Sequence, residues 1–413
     1  MKPPESKSFM TSSSNKLTHA LGRLLQNRHA GLWLYAGCAL LISAQLLITT
    51  HTHPKQGWPT LYNNYVIFEQ SFVHLWHGLD LYQAYPDNYY DLYKYSPAFA
   101  VLMAPFSILP DFIGLPLWSL LNALVLYLGV RKLSVISLKQ QNLMLLFLLP
   151  ELIISLQNAQ SNALVAGLMI LSLHFLEIRK AHWATLLLAI GTMIKLFPVL
   201  GFLLLLLYPR FWRSVAWTAF WILILLLLPM AITGWHSFMA LYMSWFELLQ
   251  ADHSASTGLS IFAWLEAWFG AMPDKNILLG IGVLLLLASF IRPVFLKKNA
   301  ADQYALLALL MIWTVIFNHK AESPTFIIAV AGVGLWYFSR KADAFTSSLL
   351  ILTLVFVSLS PSDLMPAAWK NGWLKSGVWK AFPCILVWAV ISFEQLSGRS
   401  LSGQLASRFQ PLK

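Results

Sequence analysis

The chain has 413 residues, of which 58% are hydrophobic and only 11% charged. Ordinary soluble domains carry about 25% charged residues, so a soluble globular protein is excluded and an integral membrane protein is expected. The formal net charge of +11 arrives as short basic clusters between apolar runs. That is the pattern of cytoplasmic loops rather than of a polyanion site, so no nucleic-acid partner is expected.

Residues 1–30 are basic and polar, and no short apolar core with a cleavage site follows them. They read as a cytoplasmic tail, not as a removable signal peptide. A membrane-spanning helix needs about 20 apolar residues. The first candidate, Leu32 to Thr50, follows Arg23 and Arg28, which puts the N-terminus inside. An outer region, 51–110, comes next. It gathers Glu69, Asp80, Asp87, Asp91, His74, His77, Lys94 and six tyrosines from Tyr82 to Tyr95. Within it, Tyr65, Phe68, Phe72 and Trp76 recur at three- and four-residue spacing, which predicts an amphipathic helix over Tyr62–Trp76 lying at the membrane surface.

Further spans are expected at Phe112–Val130, Leu143–Leu156 and Ala163–Leu176, with the polar turn Gln157–Asn162 outside. Trp183–Ile194 and Val199–Tyr208 are each short and are joined by Lys195 to Pro198. Basic residues flank both, so the pair reads as a hairpin with Lys195 at or below the outer surface. Val215–Ile232 leads to a second outer region, Trp235 to about Lys275, which holds Glu247, Asp252, His253 and Glu266. Ile277–Ile291, Tyr304–Phe317, Phe326–Phe338, Ser347–Leu359 and Pro383–Phe393 complete the series. The expectation is an all-α polytopic bundle of about twelve spans, with both termini inside, a membrane domain over 31–396 and a cytoplasmic tail over 397–413. Every inner loop carries at least two Lys or Arg, while most loop acids fall outside. The chemistry is therefore expected on the outer face.

Lys195 is the foremost candidate cation, because a lysine in an apolar hairpin is costly unless an anion answers it; a lysine snorkelling to the surface is the alternative. Lys94 could share an anion or balance Asp87 and Asp91. His319 and Lys320, beside Glu322, form an outer cluster at the start of a span. His74 and His77 lack a third ligand at motif spacing, so no metal is expected. Neither Cys38 nor Cys384 implies a disulfide framework. Glu151, inside a span, is either functional or the partner of a neighbouring helix. The outer tryptophans Trp235, Trp245, Trp264, Trp268, Trp373 and Trp379 read as interface anchors.

Several of these pieces resemble, in order, those of glycosyltransferase family 87, polytopic enzymes of the C-type glycosyltransferase class. They are Gly78-Leu-Asp80-Leu-Tyr82, Tyr93-Lys-Tyr95-Ser-Pro97, Pro105, Leu109-Pro110, Trp118, Asn122, the Gln157-Asn158-Ala-Gln160-Ser-Asn162 turn and Lys195-Leu-Phe-Pro198. The resemblance spans about residues 30–340. It implies transfer of a hexose, mannose among the candidates, from a polyprenyl-phosphate donor to a lipid or glycan acceptor on the outer face of a bacterial-type plasma membrane. No nucleotide or other cofactor is implied. Such a reaction needs a base for the acceptor hydroxyl and cations for the leaving phosphate. The acid of the family's first loop falls at Asn64, and an amide cannot serve as base. Glu69 and Asp80 are therefore the candidate bases, ahead of Asp87 and Asp91. Lys195, Lys94, Lys320 and His319 are the candidate phosphate contacts, and Asn64, Tyr82, Gln157, Gln160 and Asn162 the candidate sugar or acceptor contacts. A lipid or glycan transporter, and a non-catalytic binder of a lipid-linked sugar, are the alternative readings.

Overall fold

The computed structural model describes residues 25–52, 60–253, 257–270, 274–296 and 300–399. Most of both expected tails, 1–24 and 400–413, and the side chains of Asp252 and His253 lie outside that description. The described residues form helices joined by turns and loops, with no strand among them.

Among the described residues, three helices are long and apolar enough to cross a bilayer: Ala30–Thr52, Asp111–Arg131 and Lys275–Phe295. They coincide with three of the expected spans. A fourth candidate is Phe211–Leu227 with Met230–Ala251, bent by 86° between them. The helix is interrupted at Leu228–Pro229, where proline lacks a donor, and the backbone leaves the helical region at Gly234, with φ +71° and ψ 172°. The expected count of about twelve is thus met only in part. The remaining apolar helices, including Asn162–Glu177, Ala181–Ile194 and Phe326–Phe338, have 10–17 residues. At 1.5 Å per residue they reach roughly 15–26 Å, against about 30 Å of hydrocarbon.

The centre of the bundle is the pair Ala300–Ile316 and Phe326–Phe338. All of Phe326–Phe338 is buried except Tyr337, as expected of a helix that is apolar on every side. Small residues make close approach possible. A β-carbon on Gly332 would lie 2.9 Å from the Ala308 carbonyl oxygen, and one on Gly167 would lie 2.6 Å from the Leu126 nitrogen.

The expected surface helix is present as Asn63–Trp76, but its aromatic stripe is divided. Tyr65 and Phe68 are wholly buried, whereas Trp76 is exposed. Phe68 packs edge-on against Tyr95, Phe99 and Trp118 at 4.9–5.6 Å between ring centres. Gly114 clears the space beneath, because a β-carbon there would collide with the Tyr65 hydroxyl. The helix is consequently packed into the protein at Tyr65 and Phe68 and again at His74 and Leu75, with Trp76 exposed at its last position.

Candidate active site

Four segments distant in the chain meet around one cavity of about 370 Å³. The first is the loop from Asp91 to Ser96. Asn63 holds its start: its amide donates to the Tyr90 carbonyl at 2.6 Å and its oxygen accepts from the Tyr90 N–H at 2.8 Å. The next residue, Asp91, has φ +82°, a left-handed conformation costly to a residue with a β-carbon. At the far end, Ser96 donates to the Met193 carbonyl at 2.7 Å and accepts from the Phe99 N–H at 3.2 Å. That bond ties the loop to the second segment, Thr192–Phe197, beside Lys195.

The third segment is the Gln157–Asn162 turn. Trp118 donates to the Ala159 carbonyl at 3.1 Å, Asn122 accepts from the Leu164 N–H at 3.0 Å, and Asn64 donates to the Asn158 carbonyl at 2.9 Å. These bonds hold Gln160 on the cavity wall, where its oxygen accepts from the Tyr95 hydroxyl at 3.4 Å. The fourth is Asn318–Glu322. Leu259 donates to the Ala321 carbonyl at 2.7 Å, and Gly258 at φ +54° leaves no room for a β-carbon beside the His319 carbonyl. Trp245 lines the cavity too, and its indole donates to the Lys94 carbonyl at 3.3 Å.

The cavity thus brings together Asn64, Lys94, Gln160, Lys195, His319 and Lys320 from among the sequence candidates. Two carboxylates stand with them: Asp91, a lower-ranked candidate base, and Glu322. Lys94 pairs with Asp91 at 3.0 Å, and the charge of Glu322 acts on Lys195. Three lysines against two carboxylates leave the lining positive with histidine neutral. Such a wall can hold a phosphate and still offer a carboxylate to a hydroxyl.

The other candidates are not on this wall. Asp80 lies in a separate hollow with Gly78, Leu79 and His236; its carboxylate accepts from the Tyr82 N–H at 3.0 Å, closing a turn. Tyr82 is buried and donates to the Tyr95 carbonyl at 3.0 Å. Gln157 is exposed outside the cavity, and Asn162 is fully buried at the start of its helix. Glu69 is excluded by helical phase. Asn64 and Ile67 face the cavity, and at about 100° per residue Glu69 falls about 140° round from Asn64. Its surroundings are Tyr65, Gln70 and Asp111, and burial followed by the Asp111 charge pushes its carboxyl up to about 7. Glu151 is fully buried and accepts from Lys380 at 2.7 Å. His74 is buried against the Tyr85 ring at 3.9 Å between ring centres, while His77 is exposed.

Sequence reading missed Glu322 as a wall carboxylate and ranked Asp91 low. The signals available were the pairing of Asp91 with Lys94 three residues on, and the position of Glu322 next to the His319–Lys320 cluster.

The model of glycosyltransferase family 87 matches residues 93–319, more than half of the chain. Among solved structures, ArnT from Cupriavidus metallidurans bound to undecaprenyl phosphate is similar at 14% identity. The match covers 93% of this chain and 82% of that one, with a TM-score of 0.38. No curated protein matches.

Proposed function

Since the chain belongs to glycosyltransferase family 87, we propose that it transfers a hexose, mannose among the candidates, from a polyprenyl-phosphate donor to a hydroxyl of a lipid or glycan acceptor. The reaction takes place at the outer face of a bacterial-type plasma membrane, within a C-type glycosyltransferase architecture whose termini are both cytoplasmic. The observation that carries this reading is the meeting of Lys94, Lys195, His319 and Lys320 with Asp91 and Glu322 around one cavity. A cavity with cations alone would suit a binder of lipid phosphates; the carboxylates favour an enzyme.

The base is assigned to Asp91 in place of Glu69 or Asp80. Its side chain is about half exposed, at 51%, and its backbone is held in a costly conformation by the Asn63 bonds to Tyr90. Such strain is found where a group must be aimed. Asp91 takes the acceptor proton as the new O–C1 bond forms on the face opposite the phosphate. The C1–O bond to phosphate breaks, its electron pair leaves with the polyprenyl phosphate, and the anomeric configuration inverts. The leaving phosphate gains a negative charge, which Lys195, with Lys94 and Lys320, stabilises more in the transition state than in the bound donor. Asn64 is a positioning residue, since its amide is engaged by the Asn158 carbonyl. Gln160 and Tyr95 offer polar contacts to the hexose.

The test is transfer from a radiolabelled polyprenyl-phosphate mannose to extracted membrane glycolipids, with protein reconstituted in lipid. Asp91→Asn and Lys195→Ala should abolish transfer, while Asp80→Asn retains it. Equal transfer by Asp91→Asn and wild type would remove the base assignment. No transfer by wild type from mannosyl or glucosyl donors would overturn the proposed reaction.

A further inference from the structure

At the opposite end of the central helix pair from the catalytic cavity lies a smaller hollow, of about 200 Å³. Asn318 lines the first cavity and Ala305 the second, and the helix Ala300–Ile316 between them rises by roughly 20 Å. Four helix ends build this hollow. Arg292 comes from Lys275–Phe295, Asp302 from Ala300–Ile316, Arg340 from just past Phe326–Phe338, and Glu394 and Arg399 from the end of Phe382–Ser397 and beyond. Its arginines belong to loops that the sequence expects inside. Arg340 donates to Glu394 through two bonds, at 2.7 and 3.1 Å, with its guanidinium 4.8 Å from the Trp336 ring centre. Arg292 lies across Gly398, at φ +68°, where a β-carbon would collide with its guanidinium. Arg399 is placed by a turn in which its N–H donates to the Ser397 hydroxyl at 3.2 Å. Arg292 and Arg399 are both exposed. Three guanidinium groups and two carboxylates leave the lining with one positive charge in excess.

We propose that this arginine-lined hollow binds the phosphodiester headgroup of an anionic phospholipid, in the membrane leaflet opposite the catalytic cavity. A guanidinium matches two phosphate oxygens at once. The single excess charge balances the one charge of a phosphodiester, whereas a free phosphate or a phosphomonoester carries about −1.5 to −2 at neutral pH. Basic hollows between helix ends at the membrane boundary are where such headgroups are held. The occupant would join four helix ends that belong to separate parts of the chain. A role for Arg292 alone is a cap on the last helix, whose final carbonyls attract a cation, but a cap does not call for Arg399. The inference is independent of the reaction proposed above and needs only that the helices cross a membrane.

Native mass spectrometry of the full chain, released from nanodiscs of phosphatidylcholine with a rising share of phosphatidylglycerol, tests the site. Wild type should retain phosphatidylglycerol in preference to phosphatidylcholine. Arg292→Gln and Arg399→Gln should each weaken that retention roughly ten-fold. Lys341→Gln, which removes an exposed charge outside the hollow, should leave it unchanged. Equal retention of the two lipids by wild type overturns the site, and so does an equal loss in all three variants, which is the mark of general attraction to basic loops. Inorganic phosphate forms the second arm and should not displace the lipid; displacement would assign the hollow to the free anion instead. Thermal unfolding separates a lipid site from a helix cap. In pure phosphatidylcholine discs Arg292→Gln should melt with wild type, and it should fall below wild type once phosphatidylglycerol is present. If it melts early in phosphatidylcholine, Arg399→Gln decides, and unaltered lipid retention by that variant overturns the site.

Discussion

Two of the lysine–carboxylate pairs among the described residues, Lys380 with Glu151 and Lys94 with Asp91, are built in opposite ways. Lys380 and Glu151 meet at 2.7 Å, 7% and 0% exposed, with Lys380 also donating to the Val357 carbonyl at 2.9 Å and lying 5.2 Å from the Phe326 ring centre. Lys94 and Asp91 meet at 3.0 Å on a cavity wall, 36% and 51% exposed. The first pair is enclosed between the helix Leu138–Gln157 and the turn that precedes the helix Phe382–Ser397. The second is open, weakly held as exposed pairs are, and able to exchange its partner for a phosphate or a hydroxyl. Enclosure, rather than the presence of opposite charges, separates an ion pair that joins helices from one that can take part in chemistry.

The largest expected effect tests the open pair. Asp91→Asn should lower transfer by roughly 10²–10⁴ while leaving thermal unfolding in detergent within a degree or two of wild type. A matching loss of stability would mean that the open pair is structural after all. On the closed side, Lys380→Met should cost on the order of 3–5 kcal/mol by stranding Glu151, and the double exchange Lys380→Met with Glu151→Leu should recover much of it. Melting curves of the single and double variants decide the matter; if the double variant is no better than the single, the pair is more than a joint between helices.

Glu69 sharpens the contrast, since it is buried as Glu151 is but faces another acid. Its carboxyl, on the surface helix outside the spans, is pushed up to about 7. The folded state therefore binds a proton more tightly than the unfolded one. This stabilisation is complete below the usual carboxylate range and is lost as pH rises through about 7. Glu69→Gln should leave the melting temperature at pH near 4 almost unchanged and raise stability at pH near 8 by on the order of 1–3 kcal/mol. It should also retain transfer. Loss of transfer with no gain in stability would return the base role to Glu69. The smallest effect concerns positioning. Asn63→Ala removes two hydrogen bonds to Tyr90 and should lower kcat roughly ten-fold with little change in the KM for donor. Asn63→Asp, which keeps the acceptor for the Tyr90 N–H, should recover part of that loss. A change confined to donor KM would contradict the aiming of Asp91.

Part of this organisation is legible in the amino-acid sequence itself. Composition, basic clusters and apolar runs determine an all-helical membrane protein, because hydropathy and loop charge are local properties. The break at Lys195–Pro198, the Gln157–Asn162 turn and the Tyr93–Pro97 segment carry the family resemblance for the same reason. The family match over 93–319 bears that resemblance out over part of the range expected for it. Tertiary structure alone decided which charges meet. Glu69 is set aside by the phase of its helix, and Asp80 by the turn it closes. Tyr90, next to Asp91, is held by an asparagine 27 residues upstream, and Glu322 lines the same cavity as Lys195 from 127 residues away. A side chain's residue type and neighbours in sequence carry its chemistry, whereas its direction depends on helix phase and on backbone bonds to distant segments, which no local pattern records.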